Sequence, residues 1–168
     1  SESTAVIGMG VNNASKLQYV NSGKMGDNIY TRFSVSTRET DGEHTNVYSN
    51  LKNVDFFEDT TFRGRVLVEE DDSSWDFRFG MSEASGGTIN FNAVFALPAF
   101  QGFGTPGADQ FFKDVNGHKF SYMFNVPPVN EQETSDLSIK YTEDLVNGRE
   151  FSAIFAYNHL EEFLMSDG

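Results

Sequence analysis

The chain has 168 residues, 25 acidic against 12 basic, a formal net charge of −13 and no cysteine. That length supports a single domain with a real core. The charge disfavours general binding to polyphosphate, and the missing thiols exclude disulfides, thiolate metal sites and cysteine nucleophiles. Hydrophobic residues make up 38%, an ordinary globular share, and no apolar run has the 18 residues or so that a spanning helix needs. The 17 Phe suit a core of aromatic and β-branched side chains between sheets. Ser1-Glu2-Ser3-Thr4-Ala5 lacks the basic start of a signal peptide. The expectation is a non-secreted product after loss of its initiator Met, or a mature chain whose leader was cut away.

Residues 1–27 read as an irregular N-terminal arm. Short strands fit 5–11 and 16–20, and Asn12-Asn13, Asn21-Ser22-Gly23 and Gly26-Asp27 are turn signals. Such an arm crosses its own sheet or reaches a neighbour. Residues 28–37 alternate as a strand, and Asp41-Gly42 marks a tight hairpin turn. Residues 45–57 continue extended, with Val47, Leu51, Val54 and Phe56 inward and a kink near Asn50 or Asn53, where the alternation slips.

The strongest signal spans 61–81. Phe62, Gly64, Val66 and Val68 share one side, opposite Arg63 and Arg65; after an acidic turn, Trp75, Phe77, Phe79 and Met81 share a side, opposite Asp76 and Arg78. A period of two argues for half-buried antiparallel strands. The pattern repeats over 88–98. Residues 98–107 form a Gly/Pro/Phe loop, 108–115 hold a helical turn, and 119–126 are a strand. A polar loop follows over 130–135. Two strands then flank Asn147-Gly148, a strong hairpin signal. Residues 159–168 are a tail that makes a short helix through Leu160, Phe163 and Leu164, or docks elsewhere. About eight or nine strands, with a domain over 28–158, suggest an antiparallel β-sandwich or jelly roll, with a closed β-barrel as the alternative.

No Gly-x-Ser-x-Gly elbow and no paired histidines exist; His44, His118 and His159 are scattered. No catalytic residue or cofactor is expected, and no enzyme. The strand carboxylate Asp76 reads as an ion pair with Arg78. Glu69-Glu70-Asp71-Asp72 offers calcium some oxygens but lacks the alternate spacing and glycine of a calcium loop. Trp75 reads as core, in phase with Phe77 and Phe79.

Val6-Ile7-Gly8, Leu17-Gln18-Tyr19, Ser22-Gly23 and Arg32-Phe33-Ser34-Val35-Ser36-Thr37 resemble the opening strands of bacterial single-stranded-DNA-binding OB folds. The resemblance covers roughly a fifth of the chain and implies a basic groove lined by aromatics. The acidity departs from that pattern, and no family is assigned. The sequence therefore points first to a structural, self-assembling subunit, such as a capsid, decoration or tail component of a virion. Its partners are then copies of itself and other assembly proteins, and its location the virion or host cytoplasm. The alternatives are a carbohydrate- or receptor-binding sandwich and an OB-type single-stranded-DNA binder. Phe100 and Phe103 in the loop, with Phe163 and Leu164 in the tail, are the expected contact residues, since Phe has no polar handle and suits protein contact.

Overall fold

The structure is a computed structural model that describes residues 1–46, 49–87, 126–127 and 129–165. The expected strands at 88–98 and 119–126, the loop at 98–107 with Phe100 and Phe103, the helical turn at 108–115 and His118 lie outside the described residues, Val126 excepted.

The described chain is all-β and antiparallel. Its nine strands are β1 (Glu2–Met9), β2 (Ser15–Lys24), β3 (Ile29–Thr40), β4 (Thr45–Asn46), β5 (Leu51–Lys52), β6 (Phe57–Glu69), β7 (Ser73–Gly86), β8 (Val129–Leu145) and β9 (Arg149–Met165). Seven form one sheet in the order β1-β2-β3-β6-β7-β8-β9, and β4 and β5 form a separate two-stranded sheet. Consecutive strands of the large sheet are neighbours, so it is an up-and-down meander. It stays open, with β1 and β9 as its two edges, and is not the closed barrel named as an alternative.

The turns follow from residues that tolerate a left-handed backbone. Asn12 and Asn13, at φ 56° and 54°, turn β1 into β2, because a short Asn side chain bonds its own backbone. Leu145 pairs with Arg149, leaving Val146, Asn147 and Gly148 as the β8–β9 loop, with φ 76° at Asn147 and 69° at Gly148. The acidic turn closes where the Glu70 N–H donates to the Ser73 carbonyl at 2.7 Å.

Four expectations need correction. Residues 1–27 are chiefly β1 and β2, paired in cis through β2 to β3 over Ser15–Lys24; the short strands expected at 5–11 and 16–20 overlap them, and the ladder makes them part of the sheet rather than an irregular arm. Asp41-Gly42 does not fold the next strand back onto β3, whose partner is β6. Instead Gly42, at φ 79°, leads into the β4–β5 excursion, where Glu43 and His44 N–H groups donate to the Asp55 carboxylate at 2.9 and 2.7 Å. Residues 130–135 are the start of β8 rather than a loop. Residues 159–165 continue β9 as a strand rather than forming a tail or helix, because each residue from 159 to 165 pairs in turn with one of 135 to 129. The kink is where the slipped alternation placed it: both Asn50 and Asn53 have positive φ, 56° and 59°.

Directly paired residues share a face, so the register defines two faces. One row runs Phe33, Gly64, Phe79, Leu137, Tyr157. The Phe79 ring packs between Phe33, 6.3 Å away, and Phe62, 5.8 Å away. It lies over Gly64, where an added Cβ would clash with the ring's Cζ and Cε atoms. Across the described chain the sole buried apolar residue is Val54, 3% exposed. It sits in the β4–β5 excursion, anchored to the large sheet where the Gly87 N–H donates to the Phe56 carbonyl at 3.0 Å.

Gly64→Val is expected to displace the Phe79 ring and cost about 1–3 kcal/mol of stability by overpacking. Gly26→Ala, with nothing within 4 Å of its added Cβ, should stay within about 0.5 kcal/mol of wild type. Urea unfolding of both variants checks the contrast; equal midpoints would show that the ring does not depend on Gly64.

Candidate functional site

The register gathers most of the rings on one face and the arginines of the central strands on the other, where Tyr30 and Phe57 lie under Lys24 and Arg38. On the aromatic face, Trp75 stacks on Phe77 with centroids 6.0 Å apart, meets Tyr141 at 4.6 Å, and Tyr141 meets Phe151 at 6.4 Å. With Phe33, Phe62 and Phe79 these rings form a band from β3 to β9. Among the described residues no second sheet layer lies over it. Phe62 and Trp75 are each 39% exposed, and Phe155, further along the band, 61%. Trp75 is thus a half-exposed member of the band rather than a core residue. In β1 to β3 and β6 to β8 this face carries no Lys or Arg. At one end Glu83, Glu133 and Glu161 stand directly opposite one another on β7, β8 and β9. Like charges in that relation repel, so this end stays hydrated.

On the other face Arg32, Arg65 and Arg78 stand in one register row. Arg65 and Arg78 would repel if left alone. Asp76 joins them: Arg65 Nε and Nη2 donate to its two oxygens at 2.8 and 2.9 Å, and Arg78 Nε and Nη2 donate to Oδ2 at 3.0 and 2.6 Å. The expected Asp76–Arg78 pair is therefore a three-residue bridge. Arg65 lies eleven residues from Asp76 in sequence, and the hairpin formed by the opposed runs around residue 70 brings it there. Burial pushes the Asp76 carboxyl up, but the two guanidinium groups outweigh this and bring it down to about 2. Asp55 follows the same logic: burial raises it, while hydrogen bonds from the His44 ring (2.8 Å) and from the backbone of His44 and Glu43 lower it overall.

The remaining candidates are not brought together. His44, just before β4, pairs with Asp55, and His159 on β9 lies 3.7 Å from Glu161. Glu70, Asp71 and Asp72 lie along the β6–β7 turn, where Ser73 Oγ donates to Glu70 at 3.2 Å. Among the described residues no group of three or more His, Asp or Glu is placed to hold a metal ion, and no helix is long and apolar enough to cross a membrane. Phe163 and Leu164 are exposed, 56% and 49%, near the end of β9, on opposite faces of that strand.

The separation of faces bears on the resemblance to OB folds. Single-stranded nucleic acid needs aromatics inside a basic groove; here the aromatic band and the Arg32, Arg65 and Arg78 row lie on opposite sides of an open seven-stranded sheet, not in a five-stranded barrel. No protein-family model matches the chain, and a search of curated proteins finds no match.

The Asp76 bridge predicts a pH dependence. A carboxyl depressed in the folded state contributes stability above about pH 4, its unfolded value, and loses it as pH falls through about 2. With both guanidinium groups half-exposed, the contribution is on the order of 1–2 kcal/mol. Asp76→Asn should be less stable than wild type by that amount at pH 7, and the gap should narrow between pH 4 and pH 2. Thermal unfolding followed across that range tests it; a constant gap would contradict the assignment.

Proposed function

We propose that the chain is a non-enzymatic structural subunit that assembles with copies of itself, in the way that a capsid, decoration or tail component of a virion does. The observation that carries this reading is an open sheet with an uncovered aromatic band and two unpaired edges among the described residues. Exposed edges and contiguous apolar faces are what monomers ordinarily suppress. Covering apolar surface releases roughly 25 cal/mol per Å², and a stable interface buries on the order of 1,600 Å². Partners in such an assembly are the chain itself and other assembly proteins, in a virion or the host cytoplasm. Acidic surfaces keep free subunits apart, so assembly of a chain with net charge −13 should strengthen as salt screens repulsion.

One observation favours a second reading. Trp75, 39% exposed, stands against the half-buried Phe77 and Tyr141 rings, a surface suited to stacking on a sugar ring as part of a carbohydrate-binding module.

Light scattering behind size exclusion, over a range of protein and salt concentrations, is expected to detect defined oligomers that grow with both. Electron microscopy of the large species should resolve shells, rings or tubes. A monomer of 18.8 kDa under every condition would remove the assembly reading, and a glycan array probed with wild type and Trp75→Ala would then test the second.

A further inference from the structure

The last strand is the most exposed of the large sheet. β9 is 17 residues long, and every residue but Met165 is exposed. One side is fully paired with β8; the other has no partner strand among the described residues. Proteins blunt such an edge with lysines, prolines, bulges or short length. β9 has no Lys and no Pro, its charges (Arg149, Glu150, Glu161 and Glu162) stand toward its two ends and leave 151–160 uncharged apart from His159, and its ladder to β8 runs from Leu145 opposite Arg149 to Val129 opposite Met165 without a bulge. Apolar side chains project from both faces: Phe151, Phe155 and Phe163 on the aromatic face, Ile154 and Leu160 on the other.

The strand is also complementary to itself. Set antiparallel to a second β9 about a two-fold axis through Tyr157, Phe151 stands opposite Phe163, Ile154 opposite Leu160, Phe155 opposite His159, and Tyr157 opposite its own copy. All 17 residues pair, no acid faces an acid, and each residue stays on its own face, so the aromatic band continues across the axis. Moving the axis one residue back sets Glu150 against Glu162. Moving it one forward sets Ile154 and Phe155 against Glu162 and Glu161. Moving it two either way leaves four residues of each strand unpaired.

We propose that β9 is the primary assembly edge: it pairs antiparallel with β9 of a second copy about Tyr157, joining two open sheets into one of fourteen strands. This deepens the assembly reading and rests on it, naming the partner, the symmetry and the register. The contact is isologous and adds main-chain hydrogen bonds along the full strand, as in strand addition to a sheet edge.

The absence of cysteine makes the test direct. In the proposed register the two Tyr157 Cα atoms lie about 4.5–5.5 Å apart, within disulfide reach. The two Phe155 Cα atoms, and likewise the two His159, are offset by four residues, roughly 13 Å. Single variants Phe155→Cys, Tyr157→Cys and His159→Cys, with Ala5→Cys on the opposite edge, are oxidised under identical conditions after circular dichroism shows that each is folded. The expected result is at least tenfold more covalent dimer for Tyr157→Cys than for the other three. Dimer predominating at 155 or 159 overturns the register, and dimer predominating at position 5 overturns the choice of edge. Oligomers by light scattering with no disulfide at any position overturn the β9 contact while assembly itself stands. A monomer by scattering, with no disulfide, overturns both.

Discussion

Phe79, seated over Gly64 between Phe33 and Phe62, is the contact on which the large sheet depends. It joins β3, β6 and β7 on one face at the centre of the meander. The glycine matters for what it lacks. Any side chain at position 64 would occupy the space of the ring, so a strand residue with poor intrinsic preference is offset by aromatic packing. From this centre the band extends through Trp75 and Tyr141 to Phe151. The same contacts that hold the strands together therefore create the apolar surface that a partner would cover.

The opposite face solves an electrostatic problem. Three arginines in one row would repel one another in an isolated sheet. Asp76, 11% exposed at its side chain, neutralises part of that charge and orients two guanidinium groups with four hydrogen bonds. Solvent around the arginines limits its energetic weight, but the geometry pins β6 against β7 in a single register. A slip of one residue would exchange the aromatic and arginine faces, so the rings and the bridge reinforce the same pairing.

Much of this was legible from alternation alone. The period-two runs at 61–81 and 137–157 set which residues share a face, and the asparagine signals at 12, 13, 50, 53 and 147 mark backbone turns because Asn tolerates positive φ. What escaped was set by pairing partners rather than by local composition. β1 and β2 show only short strand signals at 5–11 and 16–20, which do not reveal their full ladders, and β9 beyond residue 158 has helix-compatible spacing at Leu160, Phe163 and Leu164. In both places an adjacent ladder overrides local preference. The exposure of β9 could not be read from its sequence, since an apolar alternating strand looks the same in a sheet centre as at an edge. Of the contact residues expected from sequence, Phe163 and Leu164 fall on this edge, whereas Phe100 and Phe103 lie outside the described residues.

The central claim is that the β9 edge, which has no partner strand among the described residues, is closed by another copy. Amide hydrogen exchange, compared between dilute and concentrated protein, tests it most directly, because it reports strand pairing residue by residue. The account predicts that the alternate amides of β9 that point away from β8 gain protection as concentration rises, while those facing β8, and those of β3 and β6 in the sheet interior, are protected throughout. Protection of β9 that is the same at every concentration, in protein shown by scattering to assemble, would contradict it.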